Sequence, residues 1–267
     1  MEHGQAACRT LSRIRERRPL VHNITNFVAM DISANVLLAA GASPAMIHAV
    51  QEAAEFALHA DALVVNIGTL SEPWVGGMRA AIDQAVHRGM PVVLDPVGVG
   101  ATTYRNQVAT RLAAFATVIR ANASEILALV GEGGRGQGVD ATHDIHQALP
   151  AARSLARRFK AVVAVTGPVD FVTDGDRTLE IRGGHPLLTR VTGAGCALSA
   201  LVAAALAVEP NPLHAAAHAC ALYGAAATRA GKEAKGPGSF RVALLDALYN
   251  LDPADAVGDL DLRAVAL

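Results

Sequence analysis

Short runs of Val, Ile and Leu alternate along this chain with longer segments whose apolar residues recur at helical spacing. Residues 63–67, 92–94, 117–119 and 162–165 are nearly continuous apolar runs, the pattern of strands covered on both faces. Between them, 51–60, 74–88, 106–115 and 145–159 read as helices. Repeated strand–helix units predict a parallel sheet with helices on both sides and right-handed crossovers. Residues 171–173, the turn at Asp174 and Gly175, and 178–181 read as a hairpin at a sheet edge. Beyond it the pattern turns helical over 194–208, 212–230 and 239–250. No internal repeat or linker interrupts this order, and the glycine-rich stretch 131–138 reads as a surface loop, so residues 1–267 are expected to form one α/β domain.

Composition sharpens that picture. Apolar residues make up 52% of the 267 positions and aromatics only 4%, so Ala, Val and Leu must build the core. Small side chains suit helices packed closely on a sheet. A formal charge of −1 provides no general field for nucleic acid or anionic lipid. The three cysteines, Cys8, Cys196 and Cys220, form no C-x-x-C and indicate neither a disulfide framework nor a zinc site. Arg13, Arg15, Arg17 and Arg18 read as a solvated helix face without an apolar signal core, and the apolar run 197–208 is too short to span a bilayer. A cytoplasmic protein that does not engage membranes is the expectation.

In an open parallel sheet the ligand lies beyond the carboxyl ends of the strands. Asn66, Gly68 and Thr69 follow the first predicted strand, Asp95 to Gly98 the second, Arg120 and Asn122 to Glu125 the third, and Thr166 and Gly167 the fourth. A carboxylate, an arginine, a hydroxyl and bare glycines at one edge suit phosphate and Mg²⁺, which prefers one or two carboxylates with water and phosphate oxygens. Asp95 and Glu125 are the candidate metal carboxylates. Taken singly, Asp95 could cap a turn before Pro96 and Glu125 could favour the start of its own helix.

The segment Thr192-Gly193-Ala194-Gly195-Cys196 heads a long apolar helix. A helix start presents unpaired N–H groups and the positive end of the dipole, which suits an anion. Cys196 would occupy the first turn, where a thiol's pKa tends to fall and makes it a candidate base. The plain alternative is a glycine turn followed by a structural cysteine. No G-x-x-x-x-G-K-[ST] occurs, and no G-x-G-x-x-G opens a helix after the first strands, so a P-loop or dinucleotide fold is excluded.

Together the chain resembles the ribokinase-like superfamily and, within it, the hydroxyethylthiazole kinase family. The matching segments are 21–26 (VHNITN), 41–44 (GASP), 66–70 (NIGTL), 94–98 (LDPVG), 122–125 (NASE), 138–141 (GVDA), 191–196 (VTGAGC) and 235–240 (KGPGSF). The resemblance implies a three-layer α/β/α fold and ATP-dependent phosphorylation of the primary hydroxyl of 4-methyl-5-(2-hydroxyethyl)thiazole, in thiamine salvage. It implies that Arg120, Thr166 and Asn122 contact ATP, that the 122–125 motif helps place Mg²⁺, and that Met46 and Gly193 contact the thiazole alcohol. Asn23, Thr25, Asn26 and Gly68 would line the acceptor side. Gly193, Ala194 and Gly195 would cradle the transferring phosphoryl group, and Cys196 stands where much of the superfamily has an aspartate base. Family members are homotrimers with sites at subunit contacts. Lys235 to Phe240 would close over the site. Position 121 is alanine where relatives often have glycine, and the 131–138 loop is unusually short and glycine-rich. Rival readings are a sister kinase for a pyrimidine or pyridoxal-like alcohol, an ATP-using lyase of the superfamily, and a non-catalytic binding protein. The lyase would carry aspartate at position 196, and the binding protein would have lost Asp95, Glu125 or Cys196.

Overall fold

The computed structural model describes residues 2–131, 145–253 and 256–265. Apolar strand runs become the middle of a nine-stranded sheet because both of their faces are covered. β1 (Leu20–Ile24), β2 (Ser43–Ala45), β3 (Ala62–Asn66), β4 (Val92–Asp95), β5 (Val118–Asn122) and β6 (Val162–Thr166) run parallel. β7 (Val169–Thr173), β8 (Thr178–Arg182) and β9 (Asp261–Ala264) continue the sheet antiparallel, giving the order β2-β1-β3-β4-β5-β6-β7-β8-β9.

The helices are α1 (Glu2–Arg17), α2 (Met30–Ala40), α3 (Ala53–Ala57), α4 (Glu72–Arg88), α5 (Thr103–Ala113), α6 (Ala123–Val130), α7 (Ile145–Phe159), α8 (Ala194–Leu206), α9 (Pro212–Glu233) and α10 (Pro237–Tyr249). Alternation along the strands sorts them into layers. Ala62, Val64, Val93 and Val118 face α2, α8, α9 and α10, while Leu63, Val65, Leu94 and Ile119 face α3 to α7. Nearly every side of α8 is buried, which only an Ala-rich helix tolerates at such close range. The expected three-layer α/β/α arrangement is therefore present.

Three strands escaped the sequence pattern. β1 carries His22 and Asn23, both buried; β2 is three residues long with a proline at an edge, where a missing N–H is tolerated. β9 is charged on its exposed side. It also corrects the hairpin's position: β8 is covered by β9, so the 171–181 hairpin is not the edge. The helix expected at 51–60 shortens to α3. The 131–138 loop beyond Gly131, and the 138–141 segment, lie outside the described residues. No helix among the described residues is long and apolar enough to cross a membrane.

Candidate active site

The parallel register brings strand ends level: Asn66 lies opposite Asp95, and Asn122 opposite Thr166. A continuous polar chain crosses this edge. Asn26 Nδ2 donates to Asn66 Oδ1 (2.8 Å), and Asn66 Nδ2 donates to Asp95 Oδ2 (2.9 Å). The same Asp95 oxygen accepts from Ser199 Oγ (2.8 Å) and lies 3.8 Å from the Arg120 guanidinium. Arg120 in turn donates to Thr166 Oγ1 (2.5 Å). Cys196 joins from above, its Sγ accepting from Asn26 Nδ2 (3.4 Å). Asp95 is fully buried, so this set of donors is what makes its charge tolerable there.

α8 starts directly over the edge. Gly193 takes a left-handed conformation (φ 79°), and a Cβ on it would meet Ile32 at 2.8 Å. A Cβ on Gly195 would sit 2.7 Å from Arg120 Nη1, so a bare backbone is required where the helix presses on the guanidinium. Among the described residues, the N–H groups of Gly195 and Cys196 find no acceptor. The Ala194 N–H, expected to join this cradle, instead donates to Val191 O (3.2 Å), and the Ala194 carbonyl accepts from the buried Tyr223 hydroxyl (3.0 Å). Two free amides at a positive helix end beside Arg120 suit an anion.

Glu125 ties two loops. Its oxygens accept the N–H groups of Gly98 (3.0 Å) and Asn122 (3.0 Å), while Asn122 Oδ1 accepts from Glu125 N (2.9 Å), a capping box at the start of α6. The helix-start role weighed for this residue is present. Arg105, on α5, donates to the carbonyls of Ile67 (2.6 Å), Val97 (2.8 Å) and Gly68 (2.7 Å).

Not every expected residue joins the chain. Asn23 Nδ2 bonds Val21 O in its own strand, and Thr25 offers its carbonyl to Trp74 Nε1 (3.1 Å). Asn23 Oδ1, Thr25 Oγ1 and Asn26 Oδ1 are buried without partners among the described residues. Met46 follows β2, half-buried, outside the hydrogen-bonded cluster. Gly68 lies against Asn26, where a Cβ would approach Nδ2 to 2.6 Å. The 235–240 segment is the start of α10, with Ser239 Oγ accepting from Lys235 N and Gly236 N; Phe240 is buried against His185.

The electrostatics correct one expectation. Burial, reinforced by the Asp95 carboxylate, pushes the Cys196 thiol up to about 12, outweighing Arg120 and the amide hydrogen bonds. The thiol does not fall as its helix-start position suggested. Burial likewise raises the Asp95 and Glu125 carboxyls, with Arg120 and hydrogen bonds opposing. Asp170 at the start of β7, half-buried and accepting from Gly167 N (2.9 Å), rises to about 6, with desolvation the largest cause. Ser199 was missed, although its place three residues after Cys196 puts both on one helix face.

This sheet, layered by helices and with an anion-ready helix start at its carboxyl edge, defines the ribokinase-like α/β class. A ribokinase-like superfamily protein from Enterococcus faecalis shares the fold, with a TM-score of 0.65 at 14% identity over 88% of each chain. More specifically, the chain belongs to the hydroxyethylthiazole kinase family, whose model matches residues 11–254. It is 50% identical over 257 residues to a hydroxyethylthiazole kinase of Nitratidesulfovibrio vulgaris, covering 96% of each chain. It is 56% identical over 244 residues to one of Rhizobium etli, covering 91% of this chain and 95% of the relative. The structure of a hydroxyethylthiazole kinase protein from Pyrococcus horikoshii superposes with a TM-score of 0.90 and 46% identity, over 98% of this chain and 99% of the other.

Proposed function

We propose that this chain works as one kinase domain over residues 1–267, with its reaction centred where α8 meets the strand ends. As a member of its family it phosphorylates the primary hydroxyl of 4-methyl-5-(2-hydroxyethyl)thiazole with ATP, in thiamine salvage. The observation that carries the assignment of roles is the Asn26–Asn66–Asp95–Arg120–Thr166 chain lying beneath the free amides of Gly195 and Cys196.

Arg120, Thr166 and Asn122 hold the nucleotide. The Gly195 and Cys196 amides, brought over the strand ends by the left-handed turn at Gly193 and the Ala194–Val191 hydrogen bond, receive the transferring phosphoryl oxygens. Met46 and Gly193 contact the thiazole alcohol, while Asn23, Thr25, Asn26 and Gly68 line its side of the site. The three unpartnered oxygens on Asn23, Thr25 and Asn26 support that lining, because buried polar atoms need partners and a bound acceptor can provide them. In the reaction the substrate oxygen forms a bond to the γ-phosphorus as the bond to ADP breaks. The hydroxyl proton passes to Cys196 Sγ in its thiolate form, the minor form at neutral pH because burial and the Asp95 carboxylate push the thiol up.

Mg²⁺ suits this donor set. It keeps several waters and binds through one or two carboxylates plus phosphate oxygens. Asp95 Oδ1 is buried without a partner among the described residues, and Glu125 stands in the first turn of α6, bonded to the loop after Asp95 through Gly98 N. Those two residues would hold the ion. When bound, it would neutralise charge on the nucleotide phosphates.

A homotrimer is part of the proposal. Leu38 on α2 and Val242 and Tyr249 (68% exposed) on α10 are exposed apolar side chains on two helices joined by the Arg241–Asp31 ion pair, and Phe27 (64% exposed) precedes α2. Such a face suits a second copy of the chain next to the acceptor side. Cys8, Cys196 and Cys220 are all free, which suits the reducing cytoplasm where we place the protein. A coupled ADP-release assay tests the reading: the thiazole alcohol should be turned over in preference to pyrimidine or pyridoxal alcohols. Preference for either rival assigns the sister activity instead, and light scattering showing a fully active monomer rules out the trimer.

A further inference from the structure

We propose that Arg105 is a positioning residue that locks the acceptor loop after β3 to the loop that follows Asp95, so that both substrates meet a fixed strand edge. The inference rests on the kinase reading of the site. Arg105 sits in the first turn of α5, where Thr102 Oγ1 caps its N–H at 3.2 Å. Its guanidinium spends three hydrogen bonds on main-chain carbonyls: Nη1 on Ile67 (2.6 Å) and Val97 (2.8 Å), Nη2 on Gly68 (2.7 Å). Among the described residues no carboxylate pairs with it.

These bonds close a ring. Gly68 N donates to Asn66 Oδ1 (2.9 Å), and Asn66 Nδ2 donates to Asp95 (2.9 Å). From Asp95 the chain runs two residues to Val97, whose carbonyl returns to Arg105. The loop after β4 is also gripped from its far side, where Gly98 N donates to Glu125 Oε1. Arg105 is thus the only side chain in the ring that binds both loops through their backbones. A planar fork with several fixed donors can do this; a lysine ammonium on a flexible stem cannot reproduce the geometry. Arg105 touches no reacting atom in this arrangement and acts through Gly68, Asn66 and Asp95.

The test compares the full-length wild type with R105K and R105A. Steady-state kinetics and thermal melts are combined with amide hydrogen exchange over residues 66–69 and 96–98. R105K should stay folded, lose about 10- to 100-fold in kcat and raise KM for the thiazole alcohol, with KM for ATP within about threefold. Both loops should exchange faster together, and free guanidinium should restore part of the R105A rate. Unchanged exchange in the two loops overturns the proposal, as does kcat within twofold of wild type in both variants. So does a loss that tracks the unfolded fraction while the folded remainder turns over at full rate. Absence of acceptor-dependent turnover in the wild type would instead overturn the kinase reading, while the exchange data would still decide the role of Arg105.

Discussion

Replacing Cys196 separates a proton acceptor from a residue that fills space. The Sγ is held by Asn26 Nδ2 at 3.4 Å in the first turn of α8, beside the Asp95 carboxylate. Burial and that carboxylate push the thiol up to about 12. At neutral pH only a very small fraction of the thiol is then ionised, and each added pH unit raises that fraction about tenfold. A transfer step that uses this thiolate should therefore show kcat climbing with unit slope across the neutral and mildly alkaline range, with no plateau near 8.5. General-base assistance contributes about 10²- to 10⁴-fold, so Cys196→Ala should lower kcat by at least about 10² while both KM values stay within a few-fold. Cys196→Ser is close in shape but far less acidic, and should resemble the alanine variant. The assay is ADP release at saturating ATP and thiazole alcohol, with single-turnover measurements to isolate chemistry from product release. A serine variant with wild-type kcat and the same pH profile would refute the reasoning and leave the Gly195 and Cys196 amides, with Arg120, to carry the transfer.

Three further outcomes follow from other parts of the structure. Gly195→Ala places a Cβ 2.7 Å from Arg120 Nη1, so it should displace the guanidinium from Thr166, raise KM for ATP and lower kcat by about tenfold or more, with little loss of melting temperature; unchanged kinetics would show that Arg120 has room to move. Glu125→Gln sets an NH₂ against one of the two N–H donors of Gly98 and Asn122 and should cost about 1.5–3 kcal/mol in urea melts. It should also raise the Mg²⁺ concentration needed for half-maximal rate, and an unchanged Mg²⁺ titration would leave Glu125 only its capping role. Buried His218, bonded through Nδ1 to Thr10 and facing His214, His3, Arg9 and Arg13, is lowered to about 3 by burial and then by those positive neighbours. Because its folded pKa lies below the unfolded value, its stabilisation is present above about pH 6.5 and is lost as pH falls towards 3. About 2 kcal/mol should disappear between pH 7 and 5. Asp170, raised to about 6, acts oppositely: its contribution is present below about 3.8 and lost as pH rises through 6. Urea melts of His218→Gln against wild type isolate the histidine, and an equal pH slope in both would refute its assignment.

The strands β3 to β6 were legible in the linear pattern because burial on both faces demands continuous Val, Leu and Ile, whatever the rest of the chain does. Once those four strands are parallel, their carboxyl ends are known, and Asn66, Asp95, Arg120 and Thr166 follow from position alone. Local sequence also determined the start of α8, since only glycine fits the left-handed turn at 193 and the contact at 195. β1 and β2 stayed hidden because their polar residues are satisfied, or await partners, only after distant segments pack on them: His22 bonds Ile47 O, and the Trp74 indole reaches the Thr25 carbonyl just beyond β1. β9 was hidden because an edge strand needs few apolar residues. The thiol at position 196 was misread for a related reason. A helix start acts through neighbouring amides and is visible in sequence, whereas burial and the Asp95 charge arrive from a strand 101 positions earlier. Ser199 and Arg105 belong to the same group, because long-range hydrogen bonds are fixed by the folded geometry and leave no periodicity in the chain.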